Sequence, residues 1–161
     1  MKNRKLTQLL VDLVPDNIYI HVGLDDIARG GKVAEIVGHF KDLIKKLILN
    51  TEARVCVSEI IACEDYKDLC KETYEINEKV HNLVSHMRDT NDDLANRLCT
   101  FNNKKLTGHL KWKRGSTESF VLTDRGKGIL WLRLRYGLTK LSNLSLNKRN
   151  NLVDLNSLNH D

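Results

Sequence analysis

The chain has 161 residues and a single proline, which is the length of one domain and enough to bury most of its extended surface. Hydrophobic residues make up 41% and charged residues 29%, as in ordinary soluble proteins, and no apolar run reaches the length of a membrane span. Gln8 and Asp12 interrupt the apolar start and no cleavage site follows, so we predict no signal peptide. Four cysteines are too few for a disulfide scaffold, and we expect an intracellular protein, cytoplasmic or nuclear.

Charge is distributed unevenly along the chain. Residues 104–149 hold 12 Lys and Arg against 2 acidic residues, whereas the formal net charge of the whole chain is only +5. A basic C-terminal third on a mildly acidic body indicates an anionic partner. A solvated basic surface with no partner explains the same charges equally well.

The first half of the chain alternates between helical and extended patterns. Four leucines share one stripe before Pro15, which stops the first helix. The run NIYIHV is almost wholly apolar, as in a strand covered on both faces. The predicted elements are a helix over 3–13, a strand over 17–22, a polar loop over 24–31, a helix over 32–49 and a strand over 53–61.

The second half continues the alternation and becomes basic. Thr123 is a credible N-cap for the last helix. The predicted elements are a helix over 66–88, a short strand over 97–102, an irregular basic loop over 103–120, a helix over 124–138 and a disordered or weakly helical tail over 140–161. We therefore predict one α/β domain over residues 1–139, followed by the tail.

Helices that alternate with strands favour a three-layer α/β/α sandwich with a short, mainly parallel sheet and right-handed crossovers. Ligands bind such sheets beyond the carboxyl ends of the strands. The loop after the first predicted strand is therefore the first place to look for chemistry.

That loop reads His21-Val22-Gly23-Leu24-Asp25-Asp26 and leads into a long amphipathic helix. A strand, a glycine and two acids in this order resemble the SGNH (GDSL-type) hydrolases, whose central block is a strand followed by G-x-N-D. The segments VCVSEIIACEDY, YEINEKVHNLV and FVLTDRGKGILWLRL are similar to the family's next strand, its asparagine-bearing helix (here Asn77) and its closing block. The likeness covers residues 5–138 and is closest to the esterase-like domains of transposon-encoded proteins.

The resemblance implies an SGNH fold but argues against esterase activity. The family's nucleophilic serine lies in a block that would precede Met1, so we expect an N-terminally truncated domain. Gly23, Asp25 and Asp26 match the central block, but Asp25 replaces an asparagine whose N–H stabilises the oxyanion, and a carboxylate cannot donate. The closing D-x-x-H block falls on Glu118 to Val121, and valine cannot serve as the general base.

The sequence predicts no metal and no cofactor. Cys56, Cys63 and Cys70 are spaced by seven, unlike zinc ligands, and Gly126 and Gly128 lie inside a helix rather than in a strand-to-helix turn. We expect His21, within the first strand, to be a hydrogen-bonded, partly buried residue. A relocated dyad of His109 and Ser116 has no geometric support in the pattern.

The basic third interleaves cations with an aromatic residue. A loop of this kind binds single-stranded nucleic acid by pairing phosphates with cations and stacking a base on the indole, while a core position for the tryptophan is the alternative. The candidate nucleic-acid-binding residues are Lys104, Lys105, Lys111, Trp112, Lys113, Arg114, Arg125 and Lys127.

We therefore predict a catalytically degenerate SGNH-like domain that acts as a binding or scaffold module or persists as a mobile-element remnant, with RNA or single-stranded DNA as its partner. Two alternatives remain. One is an active esterase whose serine block is missing from this chain. The other is a homodimer through helix 124–138, which is apolar on two sides. One stripe holds Ile129, Leu132 and Tyr136, and the other, on nearly the opposite side, holds Leu130, Trp131, Leu134 and Leu138, with Arg133 and Arg135 between them.

Overall fold

A computed structural model of the chain describes residues 8, 10, 12–113, 119–136 and 139. Its centre is a sheet of three parallel strands in the order β1-β2-β3, comprising β1 (Asn17–Ile20), β2 (Arg54–Ser58) and β3 (Leu98–Phe101). Ile18 pairs with Val55, and Val55 with Leu98. The predicted α/β class with a short parallel sheet is confirmed, with β2 as the central strand.

Two long helices connect these strands. The helices that follow β1 are α1 (Leu24–Ala28) and α2 (Val33–Asn50), and those that follow β2 are α3 (Lys67–Asp89) and α4 (Asp92–Arg97). Both crossovers move across the sheet in the same direction, so right-handed connections bring α2 and α3 to the same face. The two helices contact each other there.

The main hydrophobic core lies between that face and the two long helices. The sheet contributes Ile18, Ile20, Val55, Val57 and Leu98, which we call the apolar face. Against it pack the buried residues of α2 and α3, namely Ile36, Phe40, Ile44, Leu47, Ile76, Val80 and Val84. Burying one such side chain is worth about 1.5–3 kcal/mol, so this layer supplies most of the driving force for folding.

The opposite side of the sheet has a different composition. Strand alternation directs Tyr19, Cys56, Ser58, Cys99 and Phe101 to it, and we call this side the polar face. The rings of Tyr19 and Phe101 meet edge to face with centroids 5.7 Å apart. Residues 124–136 form helix α5, whose Arg133 guanidinium lies 5.2 Å above the Phe101 ring.

Two of the predicted loops contain regular structure. The loop over 24–31 includes α1. The predicted irregular loop over 103–120 is wrong, because it holds a 3₁₀ turn (Lys104–His109) and an antiparallel hairpin of β4 (Leu110–Lys113) and β5 (Ser119–Leu122). The alternation Leu-Lys-Trp-Lys fits a strand with one buried face, and Leu110 is buried opposite Leu122. The strand was not predicted because the many lysines of this segment were interpreted as a solvated loop, although they alternate with apolar residues.

Helix α5 begins as its sequence predicts. The Thr123 Oγ1 accepts a hydrogen bond from the Gly126 N–H at 3.1 Å, which confirms Thr123 as the N-cap. Ile129 and Leu130 pack against a second cluster of buried residues, formed by Ile61, Cys63, Leu106 and Leu110. Among the helices in the described ranges, none is long and apolar enough to cross a membrane.

At the N-terminus, residues 8, 10, 12 and 13 are helical, within the predicted helix over 3–13, and Leu10 joins the main core. The predicted tail over 140–161 lies outside the described residues.

Candidate functional site

The loop after β1 turns sharply at Gly23. Gly23 has φ +108° and is buried, and a Cβ at this position would lie 2.6 Å from the Ile60 Cδ1. A side chain would therefore strain the backbone and clash with the core. Asp25 and Asp26 follow in the first turn of α1 and are exposed. Their negative charges interact favourably with the positive N-terminal end of the helix dipole.

A polar network joins the carboxyl ends of all three parallel strands. It consists of His21 after β1, Ser58 and Glu59 at the end of β2, and Asn103 after β3; we call it the Ser58 cluster. His21 Nδ1 lies 2.9 Å from Ser58 Oγ. Asn103 Nδ2 donates to Ser58 Oγ at 2.5 Å and to the Glu59 carbonyl at 2.8 Å.

The backbone reinforces the same network. The Glu59 N–H donates to the Phe101 carbonyl at 2.8 Å, and the Glu59 carboxylate accepts from the Asn103 N–H at 3.0 Å. Because parallel strands end at the same edge of a sheet, residues distant in sequence meet here. The Ser58 cluster therefore fixes the ends of β2 and β3 relative to β1.

A serine hydroxyl hydrogen-bonded to an imidazole is the arrangement that activates a serine nucleophile. Whether Ser58 can react therefore depends on its exposure and on its other hydrogen bonds. Ser58 is only 2% exposed, and its hydroxyl is also placed to donate to the Glu59 carbonyl at 3.1 Å. Desolvation of the ring by the surrounding protein lowers the pKa of His21, which favours the neutral imidazole. If the His21 Nδ1–H donates to Ser58 Oγ, all three Ser58 hydrogen bonds are made at once. With that tautomer the buried hydroxyl has both its donor and its acceptor capacity used within the Ser58 cluster.

Several buried polar atoms on or near the polar face lack hydrogen bonds. Among the described residues, the buried side-chain atoms without a partner are Asn17 Oδ1, Tyr19 OH, Asn103 Oδ1 and Arg133 Nε. Burial raises the pKa of Tyr19, although its nearness to Ser58, Asn103 and the Arg133 charge opposes the shift. Arg133 Nη2 donates to the Asn102 carbonyl, so this guanidinium is only partly satisfied. Unpartnered buried polar atoms are rare, which separates this region from the apolar core.

Asn77 on α3 holds the loop that follows β2. Its Oδ1 accepts from the Ile60 N–H at 2.8 Å, and its Nδ2 donates to the Ile60 carbonyl at 2.9 Å. The helical pattern places Asn77 at the edge of an apolar face and predicts a half-exposed residue, and Asn77 is half-buried. The pattern does not predict its two backbone hydrogen bonds, which position Ile60 under Gly23.

The outward side of α5 combines cations with aromatic residues. Its exposed members are Arg125, Lys127, Trp131, Leu132, Arg135 and Tyr136, which we call the basic–aromatic face. Trp131 and Tyr136 are each 68% exposed, and Leu132 is 64% exposed. Lys127 pairs with Asp124 at 2.9 Å.

The two apolar stripes predicted for this helix divide differently in the structure. Ile129 and Leu130 turn inward and pack on the second cluster, whereas Trp131, Leu132 and Tyr136 turn outward. Arg133, which lies between the stripes, points toward Phe101.

The structure describes only part of the predicted binding loop. Three of the predicted residues lie wholly outside the described residues, namely Arg114, Ser116 and Glu118. For six others the structure describes the backbone but not the side chain, namely Lys104, Lys105, Lys111, Trp112, Lys113 and Val121. Val121, at the position matched to the family's general base, is in β5 and pairs with Lys111. Arg125 and Lys127 are exposed in the first turn of α5.

Sequence reasoning missed Ser58, Glu59 and Asn103. Their signal was positional, since each is a polar residue at the carboxyl end of a buried parallel strand, where side chains from different strands converge. His21 was expected to be hydrogen-bonded and partly buried. The expected hydrogen bond is confirmed, since His21 Nδ1 lies 2.9 Å from Ser58 Oγ, but the residue as a whole is exposed to solvent.

No group of three or more His, Cys, Asp or Glu within the described ranges is arranged to hold a metal ion. Comparison with protein families, curated proteins and solved structures finds no match to this chain. Function must therefore be inferred from geometry and charge.

Proposed function

We propose that this protein is a binding module for single-stranded RNA or DNA and that it does not hydrolyse esters. The observation that supports binding is the basic–aromatic face of α5, where Trp131 and Tyr136 stand largely in water on the same exposed side of the helix as Arg125, Lys127 and Arg135. Trp131 and Arg135 are four residues apart on the helix and so lie on the same stripe.

This combination matches the chemistry of an unpaired strand. A base that stacks on an exposed aromatic ring contributes about 1–3 kcal/mol, and Lys and Arg neutralise phosphates with release of counterions. The basic composition of residues 104–149 extends the same charge beyond the helix. A purely apolar partner would cover the indole but would provide no anionic group to pair with Arg125 and Arg135.

We further propose that the scaffold is a degenerate SGNH-like domain, related to three-layer α/β/α sandwiches. The glycine turn after β1 and the parallel sheet support this kinship. Three observations argue against catalysis. The Asp25 carboxylate is exposed in a helical turn, Val121 belongs to a strand, and the Ser58 hydroxyl is buried within its hydrogen bonds.

Fluorescence anisotropy with labelled oligo(U) and oligo(dT) tests the binding proposal. We expect Trp131→Ala to weaken binding by about tenfold, which corresponds to roughly 1.4 kcal/mol of lost stacking, and Trp131→Phe to retain most of the affinity. Arg125→Glu with Arg135→Glu should abolish binding at moderate salt and flatten its dependence on salt.

A charge-matched control separates a site from general attraction. Lys41 and Lys45 are exposed on α2, and changing both to Glu alters the net charge as much as the α5 pair does. Equal losses from the two pairs, or no binding by the unaltered protein at low salt, would overturn the proposal. Turnover of a p-nitrophenyl ester that disappears in Ser58→Ala would overturn the claim of inactivity.

Leu132 supports a second candidate function. An aliphatic side chain that is 64% exposed next to Trp131 is of no use to a phosphate backbone but suits a helix-to-helix dimer. If α5 forms a dimer, light scattering gives twice the monomer mass and Leu132→Glu restores the monomer. A monomeric mass for the unaltered protein at high concentration rejects this candidate.

A further inference from the structure

The polar face carries two cysteines directly opposite each other. Cys56 on β2 and Cys99 on β3 are register partners on neighbouring parallel strands, and both side chains project from the same side of the sheet. Neighbouring strands lie about 4.8 Å apart, and disulfides form across Cα separations of about 4.4–6.8 Å. Both residues are thiols in this structure. A hydrogen bond with Cys99, followed by burial, raises the pKa of the Cys56 thiol, in keeping with contact between the sulfurs.

We propose that Cys56 and Cys99 form a reversible redox site, oxidised by a disulfide of low molecular weight such as glutathione disulfide. The two thiols differ in access, since Cys56 is 2% exposed and Cys99 is half-buried. Cys99 is therefore the thiol that reacts with the external oxidant, and Cys56 is the resolving thiol.

The reaction balances in two exchanges. The Cys99 thiolate attacks one sulfur of glutathione disulfide, which forms a mixed disulfide and releases one glutathione thiolate. The Cys56 thiol then passes its proton to the departing glutathione sulfur as the Cys56 sulfur attacks the Cys99 sulfur, which forms the Cys56–Cys99 bond, breaks the mixed disulfide and releases the second glutathione as a thiol. Two protein thiols are oxidised, one glutathione disulfide is reduced, and both protons end on the two glutathione thiols.

The bond would staple β2 to β3 next to Tyr19, which is in register with Cys56. Disulfides prefer a Cβ–Cβ distance of about 3.8 Å, which is shorter than the strand spacing of about 4.8 Å. The Cys56–Cys99 bond should therefore be strained and readily reduced. These are the properties of a labile, responsive disulfide. The inference does not depend on nucleic-acid binding.

The test is native-state oxidation of the whole chain at increasing ratios of oxidised to reduced glutathione, followed by alkylation, digestion and mass spectrometry. We expect a cross-linked peptide pair that joins Cys56 to Cys99 and disappears on addition of excess reduced glutathione. The Cys63→Ser, Cys70→Ser double variant should give the same cross-link, and Cys99→Ser should leave Cys56 unmodified.

Cys70 provides a matched control within the chain. It is also half-buried but has no register partner, since it lies on α3, so it should stop at the mixed disulfide with glutathione. The proposal is overturned if Cys56 and Cys99 both remain alkylatable at the highest ratio, or if Cys99 also stops at the glutathione adduct. Because the unaltered protein supplies both readouts, misfolding of a variant cannot conceal the answer.

Discussion

The two faces of the central sheet are built from alternate residues of the same short strands, yet they have opposite compositions. On β3, Leu98 projects into the main core and is 1% exposed, whereas Cys99, the next residue, projects to the polar face and is half-buried. On β2, Val57 faces the helices and Ser58 belongs to the polar network. A shift of register by one residue would exchange the two sets.

The apolar face stabilises the fold, whereas the polar face carries the groups capable of chemistry. The apolar face and the helices α2 and α3 form a continuous core from residues that can only pack. The polar face holds the groups that can exchange protons, electrons or hydrogen bonds, among them His21, Tyr19 and the two register-paired cysteines. Variants of neighbouring residues on opposite faces can therefore test the comparison directly.

The largest effect is expected on the apolar face. Leu98→Ala should lower the free energy of unfolding by about 2–5 kcal/mol, because it removes a buried side chain and leaves a cavity. Cys99→Ala, one residue away, should cost less than half as much because it removes one atom from a partly exposed site. Urea denaturation measures both, and equal losses would contradict the distinction between the faces.

An intermediate effect is expected in the Ser58 cluster. Asn103→Ala removes the amide that donates to Ser58 Oγ and to the Glu59 carbonyl, and both acceptors lie in a buried region. Buried groups left without a partner cost about 1–3 kcal/mol, so the free energy of unfolding should fall by that amount.

Ser58→Ala is the control, because it removes the hydroxyl that accepts the Asn103 hydrogen bond and leaves no unpaired acceptor at that position. The Asn103→Ala, Ser58→Ala double variant should be less destabilised than the sum of the single variants. Strict additivity in chemical denaturation would show that the two side chains do not interact.

The smallest effect is expected from the pH dependence of His21. Burial lowers its pKa below 6.5, so between the lowered pKa and 6.5 the unfolded chain binds more protons than the folded one. The unaltered protein should therefore lose stability as the pH falls below 6.5. His21→Asn should lose less over the same interval. Parallel plots of melting temperature against pH for the two proteins would contradict this linkage.

Patterns that repeat over many residues could be predicted without the structure. The apolar stripe of α2 and the β-branched run of β1 gave the correct element types, and their alternation gave the parallel sheet. Thr123 was recognised as an N-cap because capping depends on atoms only three residues apart. The hairpin of β4 and β5 was missed because its alternation is short and its polar positions are mostly lysines.

The sequence by itself determined the class of fold, the identity of the long elements and the basic character of the C-terminal third. Each of these depends on local periodicity or on composition, which tertiary contacts do not alter. Only the tertiary structure decided that His21, Ser58 and Asn103 meet, that Cys56 lies opposite Cys99, and that Trp131 faces water while Ile129 packs on the second cluster. Those relations depend on strand register and on the rotation of a helix about its axis, and both are set by packing between residues far apart in the chain.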